Sequence, residues 1–178
     1  MSRNRNYSFA RKQAGLTLIE LSIGIVIGLV ILAVAVGAIS STMSKSDINS
    51  DAQGLSGIIA GTKTLRTNGS YGATGTNLVP SLIALKAVPS SVTVSGTTLQ
   101  NQWGGSLTVV STGNGYTVTT SAIPQDACIE HAIKLSKTML STSINAGADI
   151  GGAVTAAQAT TGCNASGNAN SIAFSAST

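Results

Sequence analysis

Bulky and charged side chains are scarce in this chain. Of its 178 residues, 3% are aromatic and 9% charged, and there is one histidine, one tryptophan, three prolines and two cysteines. A lone histidine, His131, cannot build a histidine-based metal site without carboxylate help, and Cys128, Cys163 and His131 do not follow a zinc-ligand spacing. Its neighbour Glu130 would point elsewhere on a helix, so His131 reads as a surface residue. Serine is abundant, but no nucleophile elbow surrounds any of it. The glycine-rich stretch 147–152 lacks the lysine and hydroxyl of a phosphate loop, and Asp149 alone is too little for calcium. These absences point away from an enzyme, with no catalytic residue, cofactor or metal expected.

What is present begins near the amino terminus. From Leu16 to Ile39 there are 24 residues, and Glu20 is the only charged one. A helix of that length is about 36 Å long, enough to cross a bilayer. A carboxylate within such a span costs roughly 2–4 kcal/mol on insertion scales, so Glu20 is a functional candidate by default. A secretory signal peptide would have a shorter apolar core followed by a small-residue cleavage site. Here the run is longer and the small residue, Gly15, precedes it.

The formal charge of +4 belongs to the start of the chain. Arg3, Arg5, Arg11 and Lys12 precede Gly15, whereas the six bases and six acids beyond it cancel. Bases beside an apolar span stay on the cytoplasmic side. The remainder is then exported, and no specific nucleic-acid binding is expected. About 135 residues follow the span, enough for one modest domain. Its few bulky anchors would benefit from a staple. Cys128 and Cys163 offer one on the oxidising side of the membrane; closing a loop of about 36 residues is worth roughly 3–4 kcal/mol in the chain-entropy view. The alternative is a pair of buried thiols.

Periodicity fills in the elements. From Ser44 to Arg66 there is no proline. Ile48, Ala52, Leu55, Ile59, Ala60 and Leu65 approximate one helical face, with Asp47, Asp51, Lys63 and Arg66 opposite. Gly54, Gly57 and Gly61 weaken this helix by about 1 kcal/mol each relative to alanine. A short helix is expected within 77–87, a strand over 91–99, and a hairpin of 106–111 with 116–121 turned by Asn114-Gly115. A helix should run from about Pro124 to Leu140, with Cys128, Ile129, Ala132, Ile133, Leu135 and Met139 on its apolar side. One or two helical turns are expected at 155–161 and a last strand at 171–175. Trp103 is expected to fill the core below the sheet.

Gly15-Leu16-Thr17-Leu18-Ile19-Glu20 resembles the processing site of the type IV pilins. Leu16 in place of phenylalanine, with a leader of this length, resembles the type IVb branch. Asn101-Gln102-Trp103-Gly104-Gly105, followed by a hairpin and a Cys-bearing helix, is similar to the centre of type IVb pilin heads. The resemblance implies a leader 1–15, a transmembrane and filament-core helix 16–42, and a globular head 43–178. It implies cleavage between Gly15 and Leu16 by a prepilin peptidase. The same enzyme would methylate the Leu16 amine with its own S-adenosylmethionine. Glu20 would guide subunit assembly.

The expected fold is therefore α+β. A long N-terminal helix, half membrane-spanning and half amphipathic, packs on a small antiparallel sheet head with a C-terminal disulfide loop. The expected function is that of a structural subunit of a type IVb pilus. It would be stored in the inner membrane with its amino terminus cytoplasmic, then polymerised by the pilus assembly machinery into an extracellular homopolymer. A minor pilin or secretion-system pseudopilin is the nearer alternative. A membrane-anchored periplasmic binding domain that never polymerises is the more distant one.

Overall fold

The computed structural model describes residues 18–177; between 18 and 43, side chains are described only at 19, 22, 25 and 26. Two compact units divide between Met43 and Ser44. Helix α1, Leu18–Lys63, contributes residues to both.

In the second unit, Ile48, Ala52, Leu55, Ile58 and Ile59 are buried, forming an i, i+4, i+7 stripe. Ala60, expected inside, is exposed, and Asp51, expected outside, is buried. The buried face keeps Ile48, Ala52, Leu55 and Ile59 and extends to Asp51, Ile58 and Thr62 on one flank, a rotation of roughly 30° from the expected face. Thr62 is also buried, and its hydroxyl donates back to the Ile58 carbonyl.

Helix α2, Val79–Ala84, buries Val79 and Leu82. Segment 87–92 then passes directly over α1. Ideal Cβ atoms on Gly54, Gly57 and Gly61 would lie 2.9 Å from Ser91 Oγ, 2.3 Å from Pro89 Cγ and 2.9 Å from the Ala87 carbonyl. The three glycines thus trade helix propensity for close approach of the crossing segment, its side chains at Gly54 and Gly57 and its backbone at Gly61.

The single strand expected over 91–99 is a hairpin instead. Strands β1, Thr93–Ser95, and β2, Thr98–Gln100, fold about Gly96, whose φ of +61° suits glycine. Strands β3, Ser106–Ser111, and β4, Gly115–Ile123, pair antiparallel as expected, with β4 longer at both ends. Their turn differs in chemistry. The left-handed residue is Gly113, at φ +93°, whereas Gly115 already lies in the strand. A Cβ there would sit 2.1 Å from the Ala176 carbonyl, so close strand packing accounts for this glycine.

Helix α3 is shorter than expected. It covers Gln125–Leu135 and tightens into a 3-10 turn at Ser136–Thr138. Ser136 is buried there and accepts the Val154 amide on its hydroxyl, which draws the chain away from the helix axis. Strands β5, Ser141–Ile144, and β6, Ile150–Gly151, follow. Helix α4, Ala156–Gly162, begins at a Thr155–Gln158 capping box. The last strand, β7, is Asn170–Ser177.

All pairings are antiparallel, and the sheet order is β1-β2-β3-β4-β7-β5-β6. The last strand therefore lies inside the sheet, where Ile172 and Phe174 are fully buried. Leu55, Ile58 and Ile59 of α1 join one buried cluster with Leu107, Val109, Tyr116, Val118 and Phe174. Trp103 is half-buried at the edge of that cluster rather than inside it. Tyr116 donates its hydroxyl to the Ile59 carbonyl at 3.2 Å and meets Tyr71 edge-on, with ring centroids 5.1 Å apart. Burial, and secondarily Tyr71, push the Tyr116 phenol up to about 12.

Two outcomes follow. Gly57→Ala gains about 1 kcal/mol of helix propensity but meets a proline ring at a distance no side chain tolerates; overpacking of this kind costs about 1–3 kcal/mol. Its thermal midpoint falls below that of wild type, and Gly54→Ala, which meets a hydroxyl and a methyl, falls less. Above its ordinary value of about 10, a tyrosine ionises in the unfolded chain first. Tyr116 thus contributes stability that is complete below pH 10 and lost as pH rises toward about 12. Denaturant titrations across that range should show a shallower alkaline loss for Tyr116→Phe, which at neutral pH is about 1 kcal/mol less stable.

Candidate functional site

The processing residues Gly15 and Leu16 lie outside the described residues. Glu20 lies within α1, and its side chain is outside the description. Among the described residues, no helix is long and apolar enough to cross a membrane. Side chains 27–43, where most of the apolar run falls, are not described.

The two cysteines are brought together. Cys128 and Cys163 form a disulfide with a Cα–Cα separation of 5.9 Å, and both are fully buried. Cys128 sits on α3, and Cys163 caps α4, its amide donating to the Ala159 carbonyl. The bridge fastens these two helices to one another. It also fixes the rotation of α3: with Cys128 inward, Ala127, His131, Ala132 and Leu135 share the buried face, while Ile129 and Ile133 are only half-buried.

His131 is consequently not a surface residue. Its ring is fully buried, and Nε2 lies 2.9 Å from Oδ2 of Asp51, itself 2% exposed. Oδ1 of Asp51 accepts the Gln102 amide at 3.3 Å. The indole of Trp103 is tilted by 51° to the imidazole, with ring centroids 6.3 Å apart. Nδ1 of His131 is buried without a hydrogen-bond partner.

Asn101 shapes the loop that supplies Gln102 and Trp103. Its Oδ1 accepts the Trp103 and Gly105 amides at 3.1 and 2.7 Å, and its Nδ2 donates to Thr120 Oγ1 and the Ser121 carbonyl. A Cβ at Gly105 would meet the Ser121 carbonyl at 1.8 Å, so only glycine lets the loop close onto β4. Gln102 Nε2 donates to the Ser91 carbonyl.

Sequence patterning held a usable signal for this cluster. Asp51 stands at i+3 within the apolar stripe that begins at Ile48, and His131 stands at i+3 from the bridged Cys128. Each is a polar residue on an inward face, and buried polar groups need partners. An imidazole and a carboxylate could in principle act as a general base. Here both are closed off from solvent, and the contacts they make join α1, the 101–105 loop and α3. Among the described residues, no group of three or more His, Cys, Asp or Glu could hold a metal ion.

Residues 45–177 match the family model described as PilS N terminal, well over half of the chain. Residues 10–42 match the prokaryotic N-terminal methylation motif. Comparison with curated proteins gives no match. Among solved structures, the fold is similar to a type IVb pilin from Salmonella typhi, at 23% identity and a TM-score of 0.57, covering 75% of this chain and 99% of that one. It is similar also to TcpA, a type IV pilin from the Vibrio cholerae El Tor biotype, at 14% identity and a TM-score of 0.55, covering 74% and 99%. The family and its fold are structural rather than enzymatic. Membership implies a membrane-anchored subunit, processed by a peptidase, that polymerises into an extracellular pilus. The chain belongs to the type IV pilins: it is a structural subunit of a pilus, with the fold of the type IVb branch.

Proposed function

We propose that this pilin is made with leader 1–15, cut between Gly15 and Leu16, and methylated on the new Leu16 amine. In this reading residues 16–42 cross the inner membrane before assembly, with the amino terminus cytoplasmic and head 43–178 in the periplasm. The partners are the prepilin peptidase, which also supplies the methyl group, the pilus assembly machinery, and further copies of this chain. No cofactor or catalytic residue belongs to the subunit itself. The observation that carries the reading is the methylation-motif match over residues 10–42, which contains Gly15, Leu16 and Glu20 in order.

The physical logic is that one apolar segment serves two surroundings. In the membrane it is solvated by lipid; in the filament the same surface is covered by neighbouring subunits. Cleavage places a positive amine at the mouth of that segment. Glu20, one helical turn away, would meet the amine of a docking neighbour. Two opposite charges brought together in an apolar medium offset part of each other's desolvation cost, whereas either alone remains expensive.

Processing is tested by Gly15→Val. The peptidase must fit the backbone closely at the cut, so this variant accumulates as a membrane-bound precursor heavier by the leader. Intact mass of the membrane fraction reads the outcome, and mature-sized protein would refute the cleavage site. Glu20→Ala separates assembly from processing. It is cut normally and stays in the membrane, and the yield of sheared filaments falls at least about tenfold, the effect of roughly 1.4 kcal/mol per docking step. When it is co-expressed with wild type, some mutant subunits enter filaments. Abundant filaments from the mutant alone would refute an intermolecular role.

A further inference from the structure

We propose that Asp51 and His131 form a pH-sensitive latch that holds the disulfide-bonded pair α3–α4 against α1, and that acid releases it. Beside the shared apolar cluster, three side-chain hydrogen bonds among the described residues cross the seam between α1 and α3. Ser44 Oγ donates to Asp126 Oδ2 at 3.3 Å, Lys134 Nζ donates to Asn49 Oδ1 at 3.3 Å, and His131 meets Asp51 at 2.9 Å. Only the last of these is buried. Exposed polar pairs contribute little to stability, so the buried pair dominates the polar attachment.

The seam is also incompletely filled. One groove of about 440 Å³ is lined by Asn49, Ala52, Gln53, Ser56, Lys134 and Leu135. A second, of about 270 Å³, continues past Ser56 and Leu135 to Lys63 and Thr138. The grooves flank the apolar contact of Leu55, Ile58 and Ile59 with the α3 face, so loss of the one buried polar tie is felt where that contact is least filled. Because Cys128 is bonded to Cys163, α3 and α4 would leave together.

The chemistry of the pair makes protonation the trigger. In the latched form the Asp51 carboxylate accepts from His131 Nε2 and from the Gln102 amide. A proton on the carboxylate removes one of these acceptor sites. A second proton, taken up at the His131 ring, makes an imidazolium that is buried without a counter-charge and whose Nδ1–H has no hydrogen-bond partner. Opening lets water solvate both groups. Other ionisable groups nearby are accounted for. Glu130 and Lys134 pair with each other on the exposed side of α3, Asp126 holds Ser44, and Lys45, Asp47, Lys63 and Lys137 are exposed. Loop 101–105, α4 and β7 carry no ionisable side chain, and Tyr116 of β4 bonds to α1 at Ile59.

The full-length chain in detergent micelles tests the latch, with Trp103, the sole tryptophan, as reporter. Hydrogen exchange, corrected for its intrinsic pH dependence, is followed with Trp103 emission from about pH 7 to about pH 4; each proton taken up on opening changes the open-to-closed ratio by up to about tenfold per pH unit. Acid should raise exchange over 125–138 at least about tenfold while 115–123 and 170–177 stay protected, with Trp103 emission changing in step. Asp51→Asn combined with His131→Gln keeps a hydrogen bond but no titrating group, and its α3 exchange should be flat over the same range. Wild-type exchange and emission that ignore pH, or a double variant that follows pH as wild type does, would overturn the proposal. If the double variant does not fold, carbon NMR of the Asp51 carboxyl and His131 ring in wild type decides. Titration in step with Trp103 emission supports the latch, and titration out of step refutes it.

Discussion

Shortage of bulk is the constraint on which the head depends. With six aromatic side chains in the whole chain, the sheet cannot build its own core. It borrows one side of it from α1, whose Leu55, Ile58 and Ile59 fill the space beside Val109, Tyr116 and Val118. Where bulky residues would otherwise set the spacing, glycine backbones admit neighbouring segments at close range. Gly54, Gly57 and Gly61 admit segment 87–92 against α1, Gly105 admits the loop to β4, and Gly115 admits β7. Glycine costs chain entropy in each element, and the return is contact that small side chains could not provide.

Buried asparagines do the rest of the organising. Asn101 makes four hydrogen bonds that define its loop. Asn170 accepts from Asn145 and the Ala165 amide while donating to the Ile123 and Ala165 carbonyls. Asn145 in turn reaches the Gly162 carbonyl and the Ser171 amide. Together they join the ends of β4, β5 and α4 to the start of β7. A satisfied polar network of this kind specifies one arrangement, which matters in a domain whose apolar core is thin. Asp51 and His131 belong to the same strategy, except that their network keeps one unpartnered nitrogen.

Local pattern revealed what is local in origin. The stripe at Ile48, Ala52, Leu55 and Ile59, the β3–β4 hairpin, and the short helix before Cys163 all arise from neighbours in sequence. Local pattern fails where a distant partner decides. The stretch 91–99 splits because β2 pairs with β3, and α3 ends early because Ser136 serves Val154. β5 carries no local signal, since Ser141–Ile144 becomes a strand only beside β7. The inward turn of His131 depends on a cysteine whose partner is 35 residues away.

The sequence by itself determined the family and the kind of work. The methylation motif over residues 10–42 is a linear signal: it is carried by consecutive residues, and an apolar run is legible from composition. Only the tertiary structure decided that Asp51 and His131, 80 residues apart, face each other in the interior. It also decided that the last strand lies in the middle of the sheet. The reason is that a side chain's periodicity says which face it shares, whereas the rotation of that face toward a partner is set by packing and cross-links that act across the whole domain.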